Sequence, residues 1–108
     1  MRYLLGIVLS IGVVCGQSAG DAKNGKVLFK KYGCWQCHGD MGQGGNAGAR
    51  LSQTRLNQNG FSNYVRNPPS GGMPPYRLKV MGNQDLADIF AFVKSLPEPA
   101  KNIPLLSQ

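Results

Sequence analysis

Cys34-Trp35-Gln36-Cys37-His38 is the stretch that decides how the rest of this chain is read. Two thiols with two residues between them match the spacing of the vinyl groups of a haem, and a histidine directly after the second thiol can reach the iron from one side. A bare C-x-x-C also serves in redox-active disulfides and as half of a zinc site. Zinc needs four N or S ligands, whereas past the N-terminal segment the chain offers only Cys34, Cys37 and its single histidine, His38, which is sequentially adjacent and poorly placed for tetrahedral closure. A thioredoxin-like disulfide expects a βαβ setting, and the flanks here read as helix and glycine-rich loop. Covalent attachment of one haem c per chain, through Cys34 and Cys37, is therefore the expectation.

Upstream, Met1-Arg2-Tyr3 places one positive charge ahead of the apolar run Leu4 to Val14, which closes in Gly16-Gln17-Ser18-Ala19-Gly20. That order is expected of a secretory signal peptide over residues 1–20, removed after Gly20, with cuts after Gly16 or Ser18 as alternatives. The run falls short of the roughly 20 residues that span a bilayer, so no membrane span is expected after removal, and the location expected is the periplasm. Cys15 could mark lipid attachment, but the bulky Val14 before it argues against that. What remains, residues 21–108, is one domain with a proline-rich tail from about residue 97 and a thin apolar core. A covalently bound haem would serve such a chain as core.

Around the motif the periodicity is helical. Val27, Leu28 and Phe29 stand among lysines between Asp21 and Tyr32, a short amphipathic helix ending near Gly33. Between Gly39 and Gly48 half the residues are glycine, a loop able to lie close against something flat such as a haem edge. Phe61, Tyr64 and Val65 suggest a helix of one to two turns stopping before Pro68. Leu86, Ile89, Phe90, Val93 and Leu96 give the strongest repeat, behind a Gly82 or Asn83 cap and ended by Pro97. No strand-like alternation of useful length intervenes, so the fold class expected is all-α, with three to five short helices.

With no second histidine, the other axial position of the iron falls to methionine, lysine, water or nothing. Met41 lies three residues past His38 and is tied to the same side of the haem plane. Met81 precedes the last helix and could be a lid or cap residue. Met73 sits in Gly71-Gly72-Met73-Pro74-Pro75-Tyr76, where glycines permit close approach and prolines stiffen the loop, and it is the ligand expected.

Taken together, the Cys34–His38 motif, the Phe61 to Pro68 segment, Met73-Pro74-Pro75-Tyr76 and the helix from Asp85 to Leu96 resemble class I bacterial cytochrome c over essentially all of residues 21–108. The resemblance implies the small cytochrome c fold wrapped around one haem. It also implies that Gly25 and Phe29 of the first helix cross the last helix near Phe92. Members of this family often carry Gly-Pro-x-Leu after the motif to offer the axial histidine a carbonyl; here the chain reads Gly48-Ala49-Arg50-Leu51, which leaves the acceptor open.

The function this implies is single-electron transfer rather than catalysis, between exported or membrane redox proteins. The competing readings are a dedicated subunit of a dehydrogenase complex, docked through the tail Pro97 to Leu106, and a haem enzyme or gas sensor with an open sixth position. Twelve lysines and arginines against five acids give +7; loss of Arg2 with the leader leaves +6, and two haem propionates would lower that to about +4. The cations are scattered rather than gathered in a stripe, which disfavours nucleic acid. They form a solvated surface or steer an acidic redox partner through Lys23, Lys26, Lys30, Lys31, Arg77 and Lys79.

Overall fold

The computed structural model describes residues 6, 19–70 and 72–99. Most of the expected signal segment, Cys15, Gly71 and the tail from residue 100 lie outside the described residues. The described residues form four helices and no strand: α1 (Ala22–Lys31), α2 (Cys34–His38), α3 (Gln58–Arg66) and α4 (Asn83–Ser95). This is the all-α class expected.

Helix α1 starts where the Asp21 carboxylate accepts the backbone N–H groups of Lys23 (2.9 Å) and Asn24 (3.4 Å), two donors the first turn would otherwise leave unpaired. Lys30 and Lys31 close it, with positive charge at the end where the helix dipole favours it. Its buried stripe is Gly25, Leu28 and Phe29, spaced i, i+3, i+4. Val27 falls off that stripe and is 63% exposed, so the apolar trio read from sequence contributes two members to the core.

Helix α4 lies across α1, and the crossing is close. A Cβ on Gly25 would sit 1.9 Å from the Asp88 carbonyl oxygen, and one on Gly20 would sit 2.0 Å from that of Ala87. Only glycine admits the two backbones at that separation. Beside the crossing the Phe29 and Phe92 rings meet edge to face, centroids 5.3 Å apart at 61°. The contact implied by the family resemblance is thus present. Buried Asp88 ties the same two helices: its Oδ1 accepts the Asp21 backbone N–H (2.8 Å) and its Oδ2 accepts Asn24 Nδ2 (2.8 Å).

Helix α3 begins three residues earlier than the apolar pattern suggested, because its first turn is polar: Asn57 Oδ1 accepts the Gly60 N–H at 2.7 Å. Phe61 and Val65 are buried, and the Phe61 ring packs on Phe90 of α4 at 5.3 Å; Tyr64, grouped with them in sequence, is half-exposed. On α4 it is Phe92 that is buried, while Phe90, read as part of the apolar stripe, is only partly so. The helix is buried on two sides, against α1 and against α3, and a single stripe does not describe it. Leu96, 4% exposed, ends α4 in extended conformation ahead of Pro97.

Candidate functional site

The C-x-x-C-H motif is itself a short helix, α2, which the sequence pattern did not reveal. Gly33 leads into it with φ +77° and Gly39 leaves it with φ +85°, left-handed values that favour glycine and allow so short a helix to be turned at both ends. Cys34 is half-buried and packs against the core; Cys37 is exposed. Burial pushes the Cys34 thiol pKa up. Thiols that work as redox nucleophiles are held down instead, so this environment suits a structural or bonded sulfur.

The imidazole of His38 is fixed by the backbone. Its Nδ1 lies 2.6 Å from the carbonyl oxygen of Ala49. A carbonyl only accepts, so Nδ1 carries the hydrogen and Nε2 keeps its lone pair for a metal. The glycine-rich loop is shaped to bring that carbonyl in. Gly44 N–H donates to His38 O (2.8 Å), Gly45 N–H to Gly48 O (2.9 Å), and the Leu51 and Ser52 N–H groups to Gly42 O (2.8 and 3.0 Å). A Cβ on Gly48 would stand 2.8 Å from Cys37 O and 3.0 Å from His38 Nδ1. The glycines of this loop let it fold back onto α2. Ala49 replaces, without a proline ring, the acceptor left open by the Gly48 to Leu51 sequence.

The three methionines past residue 20 fall into three different settings. Met81 is 1% exposed and locked in the core, and Met41 is 49% exposed on the loop after α2. Met73 is half-buried and packs against the core, as the partly buried Cys34, Leu51, Tyr76 and Phe90 also do. The segment that carries it is anchored by the Tyr76 N–H donating to Val65 O (3.1 Å) and the Tyr76 hydroxyl donating to Tyr32 O (2.8 Å), with the two tyrosine rings edge to face at 6.0 Å.

The donor set therefore fits a covalently bound haem: two thiols on one short helix, an imidazole with Nδ1 held by a carbonyl, and a half-buried thioether packed on the core. Among the described residues no three His, Cys, Asp or Glu side chains gather in a way that could hold a bare metal ion. The model of the family described as cytochrome c oxidase, cbb3-type, subunit III, matches residues 20–93. The chain belongs to that family, as a class I c-type cytochrome domain. No curated protein and no solved structure matches it significantly. A cytochrome c domain of this kind implies haem c and haem-based electron transfer, and such domains are typically exported. Among the described residues no helix of this cytochrome is long and apolar enough to cross a membrane.

Sequence reading missed Ala49 as the acceptor and gave no role to Arg66, Asp88 or the pair Tyr32 and Tyr76. All of them act through hydrogen bonds between segments far apart in the chain. The Gly48 to Leu51 stretch was the one signal available, since it occupies the place where the family carries its carbonyl acceptor.

Proposed function

We propose that this cytochrome is a one-electron carrier in which Cys34 and Cys37 bind one haem c covalently while His38 and Met73 take its two axial positions. The observation that carries the reading is the sorting of the methionines: of three candidates, only Met73 is neither sealed in the core nor out in solvent. Haem, when bound, supplies a single iron that cycles between ferrous and ferric states, and thioether ligation raises its potential. The residues around it bind, orient and exclude. The Ala49 carbonyl holds the His38 ring and strengthens its basicity. With His38 and Met73 both engaged no position is left for substrate, which favours a carrier over an enzyme or gas sensor.

Exchange with partners is expected to be brief. Arg77 and Lys79, with Arg66, line an open groove of about 700 Å³ together with Pro68, Pro75 and Leu78. Leu78 and Val80 are both 61% exposed between or beside those cations. An apolar patch among positive charges suits a transient contact with an acidic redox protein. Export to the periplasm through residues 1–20 is part of this proposal.

The test is a spectroelectrochemical titration of the holoprotein under nitrogen and under carbon monoxide. A single one-electron transition unaffected by carbon monoxide supports the carrier. A shift of the ferrous spectrum on adding the gas contradicts it and moves the open-site reading forward. A second reading, that the domain works inside a larger complex, is favoured by the family's description as an oxidase subunit. Purification from the native host separates the two: a free carrier elutes as a monomer, a subunit with larger proteins.

A further inference from the structure

We infer that Arg66 is a positioning residue for the Met73 sulfur, bracing from the α3 side the base of the segment that carries it; the inference rests on Met73 being the axial ligand. Residues 67–82 leave the end of α3 and return to the start of α4. Arg66, the last residue of α3 and half-buried, reaches across that base with both arms of its guanidinium. Nη1 donates to Tyr76 O at 3.1 Å and also to Met81 O, while Nη2 donates to Asn83 Oδ1 at 3.0 Å. Three acceptors from three places are thus gathered on one rigid plane: just past Met73, at the far end of the segment, and in the first turn of α4.

Tyr32 braces the same span from the end of α1: its carbonyl accepts from the Tyr76 hydroxyl at 2.8 Å, and its own hydroxyl lies 3.0 Å from Val80 O and 2.9 Å from Asp85 Oδ2. The Tyr76 N–H is also held by Val65 O at 3.1 Å, but it is Arg66 that gathers Tyr76, Met81 and Asn83 on one planar group from the α3 side. The core holds Met81 by its side chain, but the Met81 carbonyl is turned to Arg66. A lysine would bring one compact charge and no planar fork, so it could not serve the Tyr76 and Asn83 acceptors together. The chain between Arg66 and Tyr76 contains Gly72 and three further prolines before Pro75, a stretch with few hydrogen bonds of its own, so where the sulfur stands depends on how the ends are held.

The test uses holoprotein carrying Arg66→Gln, Arg66→Lys or Asn83→Ala, with Gly25→Ala as a control that loosens the helix crossing at a position whose added Cβ would meet Asp88 and Phe92. Imidazole is titrated as the competing ligand, following loss of the far-red sulfur-to-iron band, and melting temperature is recorded alongside. Both Arg66 variants are expected to keep their haem and to bind imidazole about 10- to 100-fold more tightly than wild type. Asn83→Ala should give a smaller change in the same direction. Gly25→Ala should melt lower with imidazole affinity unchanged. If Arg66→Gln melts lower but binds imidazole like wild type, Arg66 is merely structural and the inference fails. Restoration of wild-type affinity by Arg66→Lys also overturns it. If wild type itself lacks the far-red band, the Met73 assignment fails first and this inference with it.

Discussion

His38 depends on a backbone carbonyl, so no side-chain deletion at residue 49 can remove its partner; the acceptor has to be moved. Gly48 is the lever, because any Cβ there crowds both Cys37 O and His38 Nδ1. Gly48→Val is expected to push Ala49 O off the ring, lower the basicity of the imidazole and thereby raise the reduction potential. Spectroelectrochemistry reads this directly, and an unchanged potential would count against the Ala49 contact. Asp88 offers a second residue-scale test. Hydrogen bonds from Asn24 and from the Asp21 backbone, with help from Gln84 (2.9 Å), hold its carboxyl below the ordinary value of 3.8 despite burial. A depressed pKa contributes stability above the unfolded value that is lost as pH falls through the folded one. Asp88→Asn is expected to cost about 1–3 kcal/mol at pH 7, since an amide presents donors to donors, and less at acid pH. Urea denaturation at the two pH values checks this; equal losses at both would mean that the carboxylate charge contributes nothing.

At the scale of the elements, the crossing of α1 and α4 is set by glycine. Gly25→Ala should destabilise the holoprotein by about 1–3 kcal/mol, the usual cost of forcing extra atoms into a packed contact, visible as a lower melting temperature. A variant as stable as wild type would mean the helices can part at no cost. What the sequence disclosed here was uneven for a physical reason. The heptad-like repeat in α4 and the resemblance-based contact of Phe29 with Phe92 were legible, because apolar spacing within one helix and a family's packing rule both survive in a linear string. The start of α3 was not, since Asn57 and the polar first turn carry no hydrophobic signal. The helix inside Cys34–His38 was hidden by its length and by the glycines on either side. Phe92 packs on Phe29 of α1 and Phe90 on Phe61 of α3, and how far each is buried is a property of the assembled fold.

For the whole molecule, the motif and the Met73 segment made the site's composition readable, while the bonds that orient it join residues far apart: His38 to Ala49, Arg66 to Met81, Asn24 to Asp88. Long-range polar contacts of this kind leave no periodicity to read. The net charge of +7 is a whole-molecule property with its own consequence. Electron transfer to an acidic partner should slow steeply as ionic strength rises, because exposed charges are screened beyond about 10 Å at 0.1 M salt. Charge reversal at Arg77 and Lys79 should slow it further at low salt. Stopped-flow mixing reads both; a rate indifferent to salt would assign the positive surface to solvation alone.

The central claim, an iron closed by His38 and Met73, is tested most directly by optical spectra of wild type and Met73→Ala produced in a haem-maturing host. The expected result is a c-type ferrous α-band in both proteins, with a weak far-red sulfur-to-iron band in wild type that the variant lacks. A wild type without that band, or a variant that retains it, contradicts the claim.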